Sequence, residues 1–488
     1  MDVGIIKGVG RELNKFLQQF DDCFSRSEPR VNLHRYVEGQ LSDLERKSIE
    51  PIALAAGVAP RTLQYFLSSV IWNHPRLRDR IQWIVASDHA HPNAIGVIDE
   101  TGNPKKGMYT CGVQRQWCGN TGKVDNCVVG VHLGYVLGDF QCLLDSDLYL
   151  PLEWADNVEL RRRTKVPEEI EFRTKPKIAL EQVRRALKNG IRFSALTFDE
   201  LYGRSGPFLD DLTALGQNYV AEIPSDFVGW LREPHILQKP TPAEKRKKGR
   251  KRQYPRLSRQ TLSACEVRNL AVYSPIFRGK EWQRFRIKDG EKGPVVWEVK
   301  AAKFYRKQGE KGLPRQAHTL IVARNVLDTN EVKYFLANLS LDSPGVTLQW
   351  LLWVAFSRWP IERCFEIGKR ELGMDHFEVR SWQGIYRHFY ISQLSQLFCA
   401  RVHHHLREKK DRESIPDCGT SSFGRMRLDY WPMAKTSCQE STLSESHRPD
   451  RVLSISKSRR PKVSSQKKTS TTERAGNKCQ PTEIMCTT

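Results

Sequence analysis

Three acids and a lysine stand where phosphate chemistry could use them. Asp99 closes an otherwise apolar run, Ile95, Val97 and Ile98, just ahead of the turn-formers GNPKKG. Asp199 repeats the arrangement after ALTF, at the mouth of FDELYGRSG. A carboxylate on a buried strand is costly unless something pairs it, and a divalent metal is one such partner. The third acid, Glu362, lies in RWPIERCFEIGKRELG. Positions 362, 366 and 369 are four and three apart, so Glu362, Glu366 and Lys369 share a helical face with Gly373, while Ile361, Phe365 and Leu372 line an adjoining apolar one. A carboxylate that holds metal, followed by a lysine that grips phosphate, suits cleavage of a polyanionic backbone. Without the lysine, an acidic cleft would repel its substrate.

Elements of two kinds must position these groups. Residues 94–99, 107–113 and 127–137 are short β-rich runs separated by turn-formers and read as an antiparallel meander, and a further run at 140–149 either extends that sheet or crosses over from it. Residues 177–188 read as a helix that stops at Asn189-Gly190; 191–198 is strand, 206–215 helix and 218–223 strand. That order describes a mixed α/β layer whose site forms at strand ends. From 224 the rhythm changes, and 267–273, 282–287, 295–305, 319–326 and 333–339 read as further strands. Residues 348–372 are helical, with Pro360 forcing a kink or fresh start, and a last amphipathic helix covers 386–405.

Residues 1 to about 90 read as helices. Within them, Ala53, Gly57, the break at Val58-Ala59-Pro60, then Leu63 and Phe66 match a helix-turn-helix layout, which would put Arg61, Thr62 and Gln64 at the start of a reading helix. An ordinary packed helical hairpin explains the same pattern. The run KRKKGRKR at 245–252, with Lys247, Lys248 and Arg250, must be solvated or laid against phosphate. Arg115, Lys105 and Lys106 could line the cleft. Trp297 could stack on an unpaired base, a contact contributing ~1 to 3 kcal/mol, although a strand tryptophan is more often core. GNTGK at 119–123 lacks the rest of a phosphate-binding loop and reads as a turn.

Composition narrows the partner. The 488 residues carry 78 Lys and Arg against 56 Asp and Glu, a net +22 that favours polyanions. The longest apolar runs fall far short of the ~20 residues of a membrane helix. The start MDVGIIKGVGRELNKF has no secretory layout, so a cytoplasmic, nucleoid-associated protein is expected. Twelve scattered cysteines without a CxxC pair argue for reduced thiols and against a zinc knuckle.

Taken together, Asp99 in IDETGNPKKG, Asp199 in FDELYG, and RWPIERCFEIGKRELG resemble the DDE superfamily of insertion-sequence transposases, in the lineage with an Arg, Glu and Lys signature on its final helix. The likeness spans roughly residues 31–404. In that lineage Arg precedes the catalytic Glu by four and Lys follows by seven, as Arg358, Glu362 and Lys369 do here. The lineage's tyrosine three before the Arg is Ala355, with Phe356 beside it. The resemblance implies an α/β, RNase H-like mixed sheet flanked by helices and interrupted by a β-rich insertion. An all-α DNA-binding domain would precede it and a disordered tail follow. The expected divisions are 1–90, 91–224, 225–340, 341–410 and 411–488.

It further implies two Mg²⁺ ions, with Mn²⁺ as a substitute, held by Asp99, Asp199 and Glu362 about 3.5 to 4 Å apart. Double-stranded DNA would be the partner, both terminal inverted repeats and target, with a homodimer in the synaptic complex and no membrane. Arg358 and Lys369 would contact DNA. Two rivals share the fold: an inactive end-binding repressor, and an endonuclease that never joins strands.

Overall fold

The apolar stretch before Asp99 becomes the central strand of a mixed sheet. The computed structural model describes residues 3–240, 242–245, 249, 252–290, 293–309, 312–314 and 316–413. Lys247, Lys248 and Arg250, and the expected tail from 414 onward, lie outside the described residues. The first six strands are β1 (Ile95–Pro104), β2 (Gln114–Cys118), β3 (Lys123–Leu137), β4 (Phe140–Leu148), β5 (Ala195–Phe198) and β6 (Tyr219–Ile223). β3 runs antiparallel to β1, β2 and β4, while β1 and β5, and β5 and β6, are parallel. The order β4-β3-β1-β5-β6, antiparallel on one side of β1 and parallel on the other, is RNase H-like.

Residues 107–113, expected as a strand, instead form the loop into β2, because the pairing edge of β3 is taken up by Gln114–Cys118. Apart from a short two-stranded pair, Ile236–Leu237 with Arg256–Leu257, the insertion's described strands join the core sheet. Strand Val332–Ala337 pairs antiparallel with β6, and His318–Asn325, Gly293–Arg306 and Gln283–Gly290 follow in turn, so the core sheet simply continues into it. Residues 267–273 are corrected from strand to helix, Val267–Tyr273. VRNLAVY is too short and too evenly apolar for its period to decide between the two.

Helix boundaries follow local chemistry. Thr174 caps Lys175–Lys188, its hydroxyl accepting from the Lys177 amide, and Gly190 takes the positive φ that ends it. The 348–372 stretch splits at Ser357 into Leu348–Phe356 and Trp359–Arg370, with Pro360 in the first turn of the second. Near the N-terminus, Ile49–Ala55 ends in a Schellman turn. The Gly57 amide donates to Leu54 O, that of Val58 to Ala53 O, and Gly57 sits at φ +66°. Pro60 then opens Pro60–Ser68, giving the two helices and tight turn expected there.

These helices share one apolar core with the sheet. The last helix, Trp382–Glu413, runs through it. Tyr36 Oη bonds His388 Nδ1 at 2.9 Å, and Gln40 donates to Ser392 Oγ at 2.9 Å. The described cysteines are free. No helix among the described residues is long and apolar enough to cross a membrane.

Candidate active site

Strand register brings the two aspartates together. Ile98 pairs with Phe198 across parallel β1 and β5, so Asp99 and Asp199 are the next residues on chains about 4.8 Å apart. Asp99 lies within β1, buried. Asp199 steps out of β5 as the N-cap of the short helix Glu200–Gly203, accepting from the Leu201 amide at 3.0 Å. That helix presses on β6 at Gly203, where a Cβ would stand 1.9 Å from Glu222 O, so only glycine fits.

Arg358, in the break between Leu348–Phe356 and Trp359–Arg370, ties the third acid to the first. Its Nη1 lies 3.0 Å from Asp99 Oδ2 and 3.2 Å from Glu362 Oε1. More than half of the Glu362 side chain remains open to solvent, at 55%. The resulting cluster has one guanidinium set among three carboxylates.

Its electrostatics follow from burial. Burial pushes the Asp99 carboxyl up to about 7 against the pull of Arg358, with the charges of Asp199 and Glu100 adding to the rise. Burial also raises Asp199, to about 6, and the Glu100 charge is the next contributor, opposed by Arg358. A folded-state carboxyl titrating above its ordinary 3.8 holds its proton more tightly in the native protein than in the unfolded chain. Stability therefore falls as pH rises from about 4 through about 7, and the loss is complete above that window. Each tenfold change in acidity is about 1.4 kcal/mol, so Asp99 alone accounts for a few kcal/mol. Asp99→Asn should raise the thermal midpoint by a few degrees at pH 8, and the gain should shrink to nothing near pH 4. An equal gain at both pH values would show that the carboxylate is not strained by its surroundings.

Glu100 was not among the expected site residues. As strand alternation requires, it leaves Asp99's face, and it is held on the other by Tyr202 Oη, which donates to Oε2 at 2.7 Å, and by Lys175 Nζ at 2.7 Å from Oε1. Because Tyr202 belongs to the helix that Asp199 caps, Glu100 links the two aspartate-bearing segments. Its position beside Asp99 was the only signal available. His132, the register partner of Asp99 on β3, is fully buried against Phe365 and Phe389 with Nδ1 2.5 Å from Ser146 Oγ, and burial pushes it down to about 3.

The basic residues divide. Lys369 does not face the open cleft: its buried amine donates to Thr101 Oγ1 at 2.7 Å and to Gly102 O at 2.9 Å, pinning Trp359–Arg370 to β1. Lys105 likewise donates to Asp375 O and Phe377 O above the Phe377 ring, and burial lowers it to about 8. Trp297 is corrected from a stacking platform to core, 4% exposed and packed on Phe356 at 5.3 Å, because its strand lies inside the extended sheet. Lys106, Arg115, Arg61 and Gln64 are exposed, Arg61 stacking on Tyr65. Glu366 turns to Arg370, at 2.9 Å.

The donor set suits a hard divalent cation. It is all carboxylate oxygen, and buried acids that keep protons near neutral pH are short of positive charge. Among the described residues no three such side chains are gathered tightly enough to close on one ion, since Arg358 stands between Asp99 and Glu362.

Sequence comparison decides the family. The family model of the DDE superfamily endonucleases matches residues 19–294, more than half of the chain. This chain belongs to that family. The match takes in Asp99 and Asp199 and ends before Glu362. A probable transposase for insertion sequence element IS701, from Microchaete diplosiphon, is 34% identical over 230 residues, 46% of this chain and 57% of that protein. The chain thus spans little more than half the length of the curated relative it matches. The piggyBac transposase synaptic complex with hairpin DNA is 11% identical and aligns over 82% of this chain and 78% of its own, at a TM-score of 0.32, too low to argue from.

Proposed function

We propose that this DDE endonuclease is the transposase of an insertion sequence, cutting DNA at the element's inverted-repeat ends and joining those ends to target DNA. The observation that carries the reading is the convergence of Asp99, Asp199 and Glu362 about Arg358 on an RNase H-like sheet. The named relative, itself a probable insertion-sequence transposase, supports it.

Asp99, Asp199 and Glu362 would hold Mg²⁺, two ions in the full reading, with Mn²⁺ as a substitute. When bound, such ions supply positive charge at the scissile phosphate and acidify the attacking water or 3′-hydroxyl. The chain's own groups do the rest. Burial keeps Asp99 and Asp199 close and pre-oriented, Glu362 stays accessible at the mouth, and Arg358 balances the acids. The exposed start of Pro60–Ser68, with Arg61 and Gln64, is the proposed end-reading surface. Lys106 and Arg115 are proposed phosphate contacts, with the basic run at 245–252 as a further one. Lys369 acts as a strut that aims the Glu362 helix. Two ends held together call for a homodimer, at work on cytoplasmic, nucleoid-associated DNA, and the divisions at 90, 224, 340 and 410 are the proposed domain limits.

The test is a labelled duplex carrying one insertion-sequence end, incubated with the full chain, Mg²⁺ and supercoiled target. Strand cleavage at the end followed by joining to the target is expected. Cleavage without joining would make the protein an endonuclease of the same fold, and binding without cleavage would make it a repressor.

A further inference from the structure

One hairpin carries exposed apolar side chains on both of its strands. Trp117 on β2 is 65% exposed, and its cross-strand partner on β3, Val124, is 53% exposed. β2 pairs with β3 alone, so this is an edge. The hairpin's inner face is satisfied, with Cys118, Cys127 and Val129 closing a small core against Tyr149. Its outer face carries Arg115 and Trp117. An exposed aromatic paired across a sheet edge offers a partner a flat apolar surface.

Alternation along β3 fixes which way that face looks. Val124 and Asn126, opposite Trp117 and Arg115, have the parity of His132, which pairs with Asp99. Along β3 the outer face therefore continues the one that bears Asp99, while the hairpin curls back so that Cys118 covers Gly102. Asn126 extends the patch by donating to Lys105 O at 2.6 Å and Gly107 O at 3.0 Å, which folds the preceding loop against the hairpin. The loop presents Met108, 75% exposed, and Tyr109, whose ring lies 3.7 Å from the Arg163 guanidinium.

Charge selects the occupant. Lys106, Arg115 and Arg163 are exposed here, while the hairpin's one acid, Asp125, pairs with Gln116 in the opposite register. A second copy docked across a twofold axis would set this basic surface, Arg115 included, against itself. A polyanion with flat, apolar rings meets both features: phosphates on the cations, sugar and base edges on Trp117.

We infer that the β2–β3 hairpin is a second DNA-gripping element, which holds the duplex through Trp117 and Arg115 at a distance from the cut. The inference rests on DNA being the substrate. Cys118, next to Trp117, lies against Gly102, where a Cβ would stand 3.3 Å from the Cys118 Cα, and Gly102 is three residues along β1 from Asp99. The hairpin thus curls back toward β1, and the grip lies within roughly 20 Å of Asp99. At about 3.4 Å per base pair that is no more than about six pairs from the scissile phosphate.

The experiment compares the full wild-type chain with Trp117→Ala and with the double variant Arg115→Ala/Trp117→Ala on one duplex. Affinity is read by fluorescence anisotropy and protection by hydroxyl-radical footprinting. Trp117→Ala should weaken binding about tenfold, the size of one lost stacking contact. Protection at the pairs the hairpin covers, within about six of the cut, should disappear, with the thermal midpoint unchanged because both side chains are exposed. If the wild type binds while the variants keep its affinity and footprint, the hairpin is not a DNA grip, though the functional reading stands. A double variant that loses dimerisation and keeps DNA affinity would assign the patch to a second copy, also overturning the inference. If the wild type binds no DNA, the functional reading itself fails.

Discussion

Asp199→Asn should reduce strand cleavage by at least about a thousandfold while leaving the binding of an insertion-sequence end nearly unchanged. The substitution isolates charge from structure. Asp199 is the N-cap of Glu200–Gly203, and asparagine caps a helix as well as aspartate does, so the Leu201 amide keeps its acceptor. What disappears is one negative oxygen beside Asp99. Because burial and Glu100 already raise Asp199 to about 6, losing the charge should relieve the fold rather than damage it. Glu362→Gln is the companion change, made at an exposed side chain whose loss leaves Arg358 paired to Asp99. Both should cripple cleavage in a gel assay with Mg²⁺ and both should retain end binding. Cleavage surviving in either variant would show that the acid in question is no part of the site.

Arg387→Met should destabilise the fold by about 3 kcal/mol or more, the largest effect expected from any residue remote from the acids. Arg387 is fully buried. Its guanidinium donates to Phe66 O and Leu67 O at 3.1 Å and to Trp72 O at 3.3 Å, and lies 4.6 Å from the Trp72 ring centroid. Two of those carbonyls belong to the last turn of Pro60–Ser68, where backbone acceptors have no partner in the helix and a positive charge is favoured. Burial lowers the group to about 10, which still leaves it charged at neutral pH. Methionine fills much of the space but strands three buried carbonyls. Lysine keeps the charge, cannot span all three acceptors, and should fall between. Urea unfolding measures the cost, and a loss under 1 kcal/mol for Arg387→Met would mean the carbonyls find other partners. Because Arg387 ties the last helix to the proposed reading helix, end binding should fall with stability, in contrast to the acid variants.

Some of this was legible from residue order because the signals are local. Asp99 and Asp199 each end an apolar run, a pattern that needs no knowledge of neighbours. Arg358 and Glu362 are one helical turn apart and pair as i and i+4. Caps and breakers at Thr174, Gly190, Gly57 and Pro60 mark their boundaries by backbone chemistry alone. Errors arose where two elements had to meet. Trp297 looks like a half-exposed strand residue until the insertion's strands are seen to continue the core sheet and Phe356 covers it. Lys369 has the right interval for a phosphate contact, yet the helix lies so close to β1 that Thr101 and Gly102 take its amine. Strand alternation turns Glu100 away from Asp99, but its hold on Tyr202 depends on a helix a hundred residues further along.

By itself, then, the sequence determined which residue types stand at the ends of which runs, how the helices begin and stop, and the excess of positive charge, since each depends on covalent neighbours. Only the tertiary structure decided which amines are struts and which are surface, which tryptophan is open, and that one arginine sits among three acids. Those outcomes turn on burial, and burial is set by what packs from elsewhere in the chain.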